Sequence, residues 1–120
     1  MTIQTLIDKV KEEKPNTFTN AKLVSFVNDI EGEVAEQLQV YLPTYTTDDM
    51  SKTLLAPRPY DKLYVSYLKA MIDYANEEYM SYQLNAEQHT QDFRDFVDYV
   101  VRTAQVQDDR SIPSRFFNVM

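Results

Sequence analysis

Residues 59–75 run Pro59-Tyr60-Asp61-Lys62-Leu63-Tyr64-Val65-Ser66-Tyr67-Leu68-Lys69-Ala70-Met71-Ile72-Asp73-Tyr74-Ala75. Pro59 suits a first helical turn, where its missing N–H costs nothing, and no Gly or Pro follows before Pro113. At about 100° per residue, Tyr60, Leu63, Tyr64, Tyr67, Leu68, Met71, Ile72, Tyr74, Ala75, Tyr79 and Tyr82 cover half a helix circumference. An apolar arc this broad must be buried against other helices, which points to an all-α fold. A second regular stripe follows in Phe93, Phe96, Val97, Val100, Val101 and Ala104. Between the two, Asn85 with Gln88 three residues on matches a capping box and predicts a turn near residues 83–85. The alternative, one continuous helix over 60–104, would run to roughly 65 Å, too long for a compact small domain.

Working outward, Ile3, Leu6, Ile7 and Val10 repeat at helical spacing behind Thr2, a plausible N-cap, so residues 2–13 are expected to form a short amphipathic helix. Pro15 and Asn16 end it. Thr19 is a second N-cap, and Phe18 before it is placed to pack on Leu23 as a hydrophobic staple. The stripe Leu23, Phe26, Val27, Ile30, Val34, Leu38 and Tyr41 then carries a helix toward Pro43, with Gly32 inside it at a cost of roughly 1 kcal/mol relative to Ala. Residues 42–58, rich in Pro, Thr and Asp, form the one long connection, with a single helical turn within Thr47–Thr53 and with Leu54 and Leu55 pinning it to the core. The expected architecture is a small four-helix bundle over residues 1–104 and an extended C-terminal arm over 105–120.

The chain has 120 residues, 43% hydrophobic and 26% charged, which fits one globular domain. It lacks Cys and so has no disulfide framework, zinc knuckle or thiol nucleophile. One Gly excludes the Gly-rich phosphate loops, and one His excludes two-His metal sites. The 12 Lys and Arg against 19 Asp and Glu give a formal net charge of −7, the opposite of a nucleic-acid footprint. The acids are segregated: Asp29, Glu31, Glu33, Glu36, Asp48 and Asp49 lie between Lys22 and Lys52 with no base among them. The N-terminus shows no signal-peptide pattern and no apolar stretch is long enough for a bilayer, so a cytoplasmic chain that avoids membranes is expected.

The Tyr-rich stripe is expected to be mainly core, with some rings left for assembly. Glu78 falls in the middle of the apolar arc if the helical phase is counted through from Tyr60. A carboxylate there needs a partner, and the reading adopted is a half-buried structural pair with a Tyr hydroxyl or a base, rather than a general base or metal ligand. Glu33 and Glu36, with Asp92, Asp95 and Asp98 on the polar side of the last helix, suggest the acidic pairs by which all-helical nucleotide pyrophosphatases hold Mg²⁺. Such spacings are common on exposed helix faces, and the site is carried as an alternative. His89 is expected to be a polar surface or interhelix residue. No cofactor and no catalytic residue is expected.

Three stretches together carry a resemblance: Phe26-Val27-Asn28-Asp29-Ile30-Glu31-Gly32-Glu33-Val34 after a short N-terminal helix, Pro59-Tyr60-Asp61-Lys62-Leu63-Tyr64 opening a Tyr-rich helix, and Asn76-Glu77-Glu78-Tyr79 with Tyr82. The combination resembles the small head-tail connector, or head completion, proteins of tailed bacteriophages and prophages, over roughly residues 1–104. The resemblance implies a helical, non-enzymatic virion protein assembled in the host bacterial cytoplasm. It also implies a homo-oligomeric ring between the portal protein and a tail-completion protein, with DNA only passing through its channel. An acidic channel wall would let DNA slide without sticky phosphate contacts. A small helical protein that binds a host factor is the third reading.

Gln107, Asp108, Asp109, Arg110 and Ser111 are expected to break the last helix. Beyond them Ile112, Phe116, Phe117, Val119 and Met120 form a dense apolar group, expected to meet an adjacent subunit or the portal. The alternative is that they fold back on their own bundle.

Overall fold

A computed structural model describes residues 1–41 and 43–111, with side chains through Ala104. It is an all-α bundle of four helices: α1 (Ile3–Glu13), α2 (Asn20–Leu38), α3 (Lys62–Ala75) and α4 (Tyr79–Ser111), with a 3₁₀ turn at Thr47–Asp49. The first two helices start where the sequence places their caps. The Thr2 hydroxyl accepts from the Thr5 N–H at 3.1 Å, and that of Thr19 from Lys22 N–H at 3.2 Å. Phe18 meets Phe26 edge to face, ring centroids 6.3 Å apart.

Two boundaries differ from expectation at α2 and α3. α2 ends at Leu38, where Gln39 turns left-handed (φ 56°) and Val40 N–H bonds back to Ala35 O at 3.1 Å, so Tyr41 leaves the stripe and is 89% exposed. α3 starts at Lys62, three residues after Pro59, because Tyr60, Leu63 and Tyr64 first bond three residues back in tight turns. The long connection therefore runs from Gln39 to Asp61. Its carbonyls of Lys52 and Met50 accept from Ile3 and Gln4 N–H at 3.1 and 2.8 Å, satisfying α1 donors that have no partner inside the helix. Leu54 is buried and Leu55 packs on the core, as expected.

The α3–α4 break exists, but at Asn76–Glu78 and not at 83–85. Glu77 takes φ 58°, Asn76 N–H bonds to Ile72 O, and Glu78 N–H to Asp73 O at 2.9 Å. Asn85 lies inside α4, where its amide crosses to Asp73 and caps nothing. The core gathers Ile3, Leu6, Leu23, Val27, Ile30, Leu63, Tyr64, Leu68, Ile72 and Phe96, all fully buried. α4, at 33 residues, is about 50 Å long by helical rise, close to the molecule's 54 Å long axis. It outruns α3 and continues through Gln107–Ser111, so the expected helix break at 107 is absent and the 104/105 boundary falls within α4. Ile112, Phe116, Phe117 and Val119 lie outside the described residues.

Candidate functional site

Among the described residues three carboxylates are buried, and each joins separate parts of the chain. Glu31 on α2 is fully buried; its Oε2 accepts from Tyr45 Oη and Leu55 N–H, both at 2.9 Å, and its Oε1 from Tyr64 Oη at 2.5 Å. The Tyr64 hydroxyl in turn accepts from Ala56 N–H at 2.8 Å. Burial first, and then Glu31 itself, pushes the Tyr45 and Tyr64 phenols far above their ordinary range. Both phenols therefore keep their protons and donate them to Glu31. The Asn28 side chain completes the clamp, bonding both the Tyr45 N–H (2.7 Å) and its carbonyl (2.9 Å). The long connection is thus held to α2 and α3 by one carboxylate, one amide and two phenols.

Asp73, also fully buried, closes the opposite end of the bundle. Lys14, at the end of α1, reaches its Oδ1 at 2.6 Å, while Ser81 Oγ and Asn85 Nδ2 from α4 each donate to Oδ2 at 2.7 Å. Burial alone would raise this carboxyl; the bonds from Lys14, Ser81 and Asn85 outweigh it and hold the group below the usual carboxylate range. Asp92, 3% exposed, accepts from Ser66 Oγ and from Gln88 Nε2, each at 2.9 Å. His89 donates through Nδ1 to the Leu63 carbonyl at 3.0 Å and lies between Tyr67 and Phe93. Burial, the leading cause, lowers its pKa below the ordinary imidazole value. It is the interhelix residue expected.

An open groove of about 760 Å³ lies between α1, α3 and α4, lined by Lys9, Lys62, Ser66, Lys69 and Asp92 among others. Its charges mostly pair at home: Glu13 takes Lys9 and Lys69 at 3.2 and 2.5 Å, and Lys62 takes Asp95 at 3.1 Å.

The residues singled out in the sequence are placed differently. Glu78 is exposed, against the expectation of half burial, because the chain breaks at 76–78 and a helical phase counted from Tyr60 no longer applies. Glu33 and Glu36 are exposed on α2. Asp92, expected on the polar side of the last helix with Asp95 and Asp98, instead points into the α3–α4 seam, so the acidic run is split between core and surface. No group of three His, Asp or Glu side chains among the described residues is arranged to hold a metal ion. No helix among them is long and apolar enough to cross a membrane.

The Tyr stripe divides in two. Tyr64 is core, Tyr60 stacks on Tyr99 with centroids 4.5 Å apart, and Tyr67, partly buried, has its phenol pushed up to about 12 by burial and by Asp29 and Glu33. Tyr74 and Tyr79, by contrast, are more than half exposed beside Met80 and Leu84. Comparison with protein-family models, curated proteins and solved structures found no match.

Proposed function

We propose that this chain is a structural subunit of a tailed-bacteriophage or prophage virion. In this reading it is a head-tail connector that assembles as a homo-oligomeric ring between the portal and a tail-completion protein. The observation that carries the reading is how the molecule spends its reactive side chains. Glu31, Asp73, Asp92 and His89 are each engaged in bonds that hold helices and loop together, and the surface keeps exposed acids and an exposed aromatic corner. The exposed aromatic corner at Tyr74 and Tyr79 suits a chain that assembles. The exposed acids Asp29, Glu33 and Glu36 of α2 suit a wall past which DNA slides. The resemblance of residues 1–104 to connector proteins supplies the rest of the reading.

The test is the mass of the full chain by light scattering, alone and with a portal protein from the same genome, followed by negative-stain imaging. Closed rings in either setting are expected; a monomer in both overturns the proposal. Mg²⁺-dependent hydrolysis of a nucleoside triphosphate that is lost in Glu33→Ala or Glu36→Ala would favour the pyrophosphatase alternative instead.

A further inference from the structure

The open groove between α1, α3 and α4 gathers bases in a chain of formal net charge −7. Four of the 12 Lys and Arg line it, Lys9, Arg58, Lys62 and Lys69, against three carboxylates, Glu13, Asp61 and Asp92. The bases stand nearer the opening: the side chains of Lys9 and Lys62 are 49% and 51% exposed, against 15% for Asp61 and 4% for Asp92. Arg58 is exposed and forms no salt bridge among the described residues. Glu13 is divided between Lys9 and Lys69, and Asp95 serves Lys62. An acceptor brought from outside meets ammonium and guanidinium groups first.

The chain carries a matching row on another flank. Asp29, Glu33 and Glu36 stand at i, i+4 and i+7 on α2, within about 60° of one another, and all three are exposed. None of them forms a salt bridge among the described residues. Asp29 and Glu33 lie close enough to Tyr67 to raise its phenol. On α3, Tyr67 is turned about 150° from the mean direction of Lys62, Val65, Ser66 and Lys69, which line the groove. Groove and acidic row therefore lie on opposite flanks, and neither meets the other within one copy. Their lengths agree, since Asp29 to Glu36 and Lys62 to Lys69 each span about 10 Å by helical rise. A nucleic-acid strand would set phosphates against the carboxylates of the groove as well as its bases, whereas a helix ridge brings only three separated charges.

We propose that the Asp29–Glu33–Glu36 row on α2 of one copy docks in the groove of a second copy, against Lys9, Arg58, Lys62 and Lys69. The inference rests on the self-assembly part of the proposed function and names its interface. Each subunit gives an acidic ridge on one flank and receives one on the other. Such a contact is heterologous and makes a ring whenever the rotation between neighbours closes.

Charge reversal at exposed positions tests the contact. Glu33→Lys/Glu36→Lys and, separately, Arg58→Glu/Lys62→Glu should each weaken self-association at least tenfold by light scattering, with the fold of each checked by its thermal melt. Mixed in equal amounts, the two variants again set opposite charges across the contact and should re-form assemblies of wild-type mass. For the wild type, raising NaCl from about 0.1 M to about 1 M shortens the screening length from about 10 Å to about 3 Å and should weaken association at least tenfold. Two folded variants that stay apart on mixing overturn the inference. So does wild-type association indifferent to salt, a result that needs no variant to fold. Rings that persist undiminished in both variants refute the interface and leave the connector reading standing. Loss of portal binding on groove reversal, with self-association intact, does the same. A full chain that stays monomeric alone and with the portal defeats both.

Discussion

Glu31→Gln tests whether a single buried carboxylate holds the long connection to the helices. The wild-type carboxylate receives three donors, Tyr45 Oη, Leu55 N–H and Tyr64 Oη. A glutamine keeps the shape and one acceptor oxygen. That oxygen must face Leu55 N–H, which cannot turn away, so the new NH₂ is directed at the Tyr64 hydroxyl. Tyr64 already accepts from Ala56 N–H, and its own proton loses its acceptor. One unsatisfied buried donor costs about 1–3 kcal/mol. With an unfolding entropy near 2.1 cal/mol/K per residue, each kcal/mol lowers Tm by roughly 4 °C in a chain this size. The expected loss is about 4–12 °C, measured by calorimetry with a urea melt to confirm an unchanged m-value. Tyr64→Phe removes the other half of the same bond and strands Ala56 N–H, so the two substitutions should be non-additive by about 1 kcal/mol or more in a double-mutant cycle. Amide exchange at Leu55 and Ala56 should accelerate in both variants. A Glu31→Gln protein within about 0.5 kcal/mol of wild type, with additive energies, would refute the reasoning.

Asp73→Asn should cost about 2 kcal/mol or more, because it leaves Lys14 facing an amide, whereas Glu78→Gln at an exposed site should be near neutral by urea melt. Since the folded Asp73 carboxyl is held below its ordinary value of 3.8, its contribution is complete above that value and disappears as the pH falls through the folded one, so acid unfolding should be shallower in Asp73→Asn. His89 has the opposite charge logic: its folded pKa lies below 6.5, so the unfolded chain protonates first and stability declines as the pH drops through 6.5. A Tm series from pH 7.5 to 5.5 should show that slope, and His89→Gln should flatten it. Glu77→Gly should stabilise by up to about 1 kcal/mol, because φ 58° is costly for a residue with a Cβ; a drop in Tm would count against the turn geometry.

Much of the fold was legible because local signals and burial agree in the first two helices. Thr2 and Thr19 stand as caps ahead of Ile3-Leu6-Ile7-Val10 and Leu23-Phe26-Val27-Ile30, and both helices begin there. The α3–α4 turn was misplaced because it uses no Gly or Pro: Asn76 and Glu77 make it with a left-handed Glu, a choice local propensity disfavours. Asn85 mimicked a cap because it is polar inside an otherwise apolar seam, and its true partner, Asp73, lies across that seam. The same error put Glu78 in the core. Glu31 did carry a signal, standing four residues from both Val27 and Ala35 on the buried face of α2, and the phase argument applied to Glu78 would have found it. Asp73 carried none, since its neighbours on α3 at helical spacing include Lys69 and Ser66, which line a groove.

The buried carboxylates follow from what the bundle lacks. A connection from Gln39 to Asp61 that passes over helices has backbone N–H groups with no strand to pair with, and the described residues form only one isolated bridge, Thr2 with Thr53. Leu54 and Ala56 bring that backbone into the core, so the N–H groups of Leu55 and Ala56 arrive with water removed and need acceptors. A helix has no spare carbonyls along its length. Acceptors must therefore come from side chains, and a carboxylate offers the most lone pairs for its volume. Glu31 takes Leu55 directly and Ala56 through Tyr64, so one side chain serves two backbone donors and two phenols. An apolar residue at position 31 would pack as well and leave those donors unpaired, which is why this buried acid belongs to the architecture of the molecule.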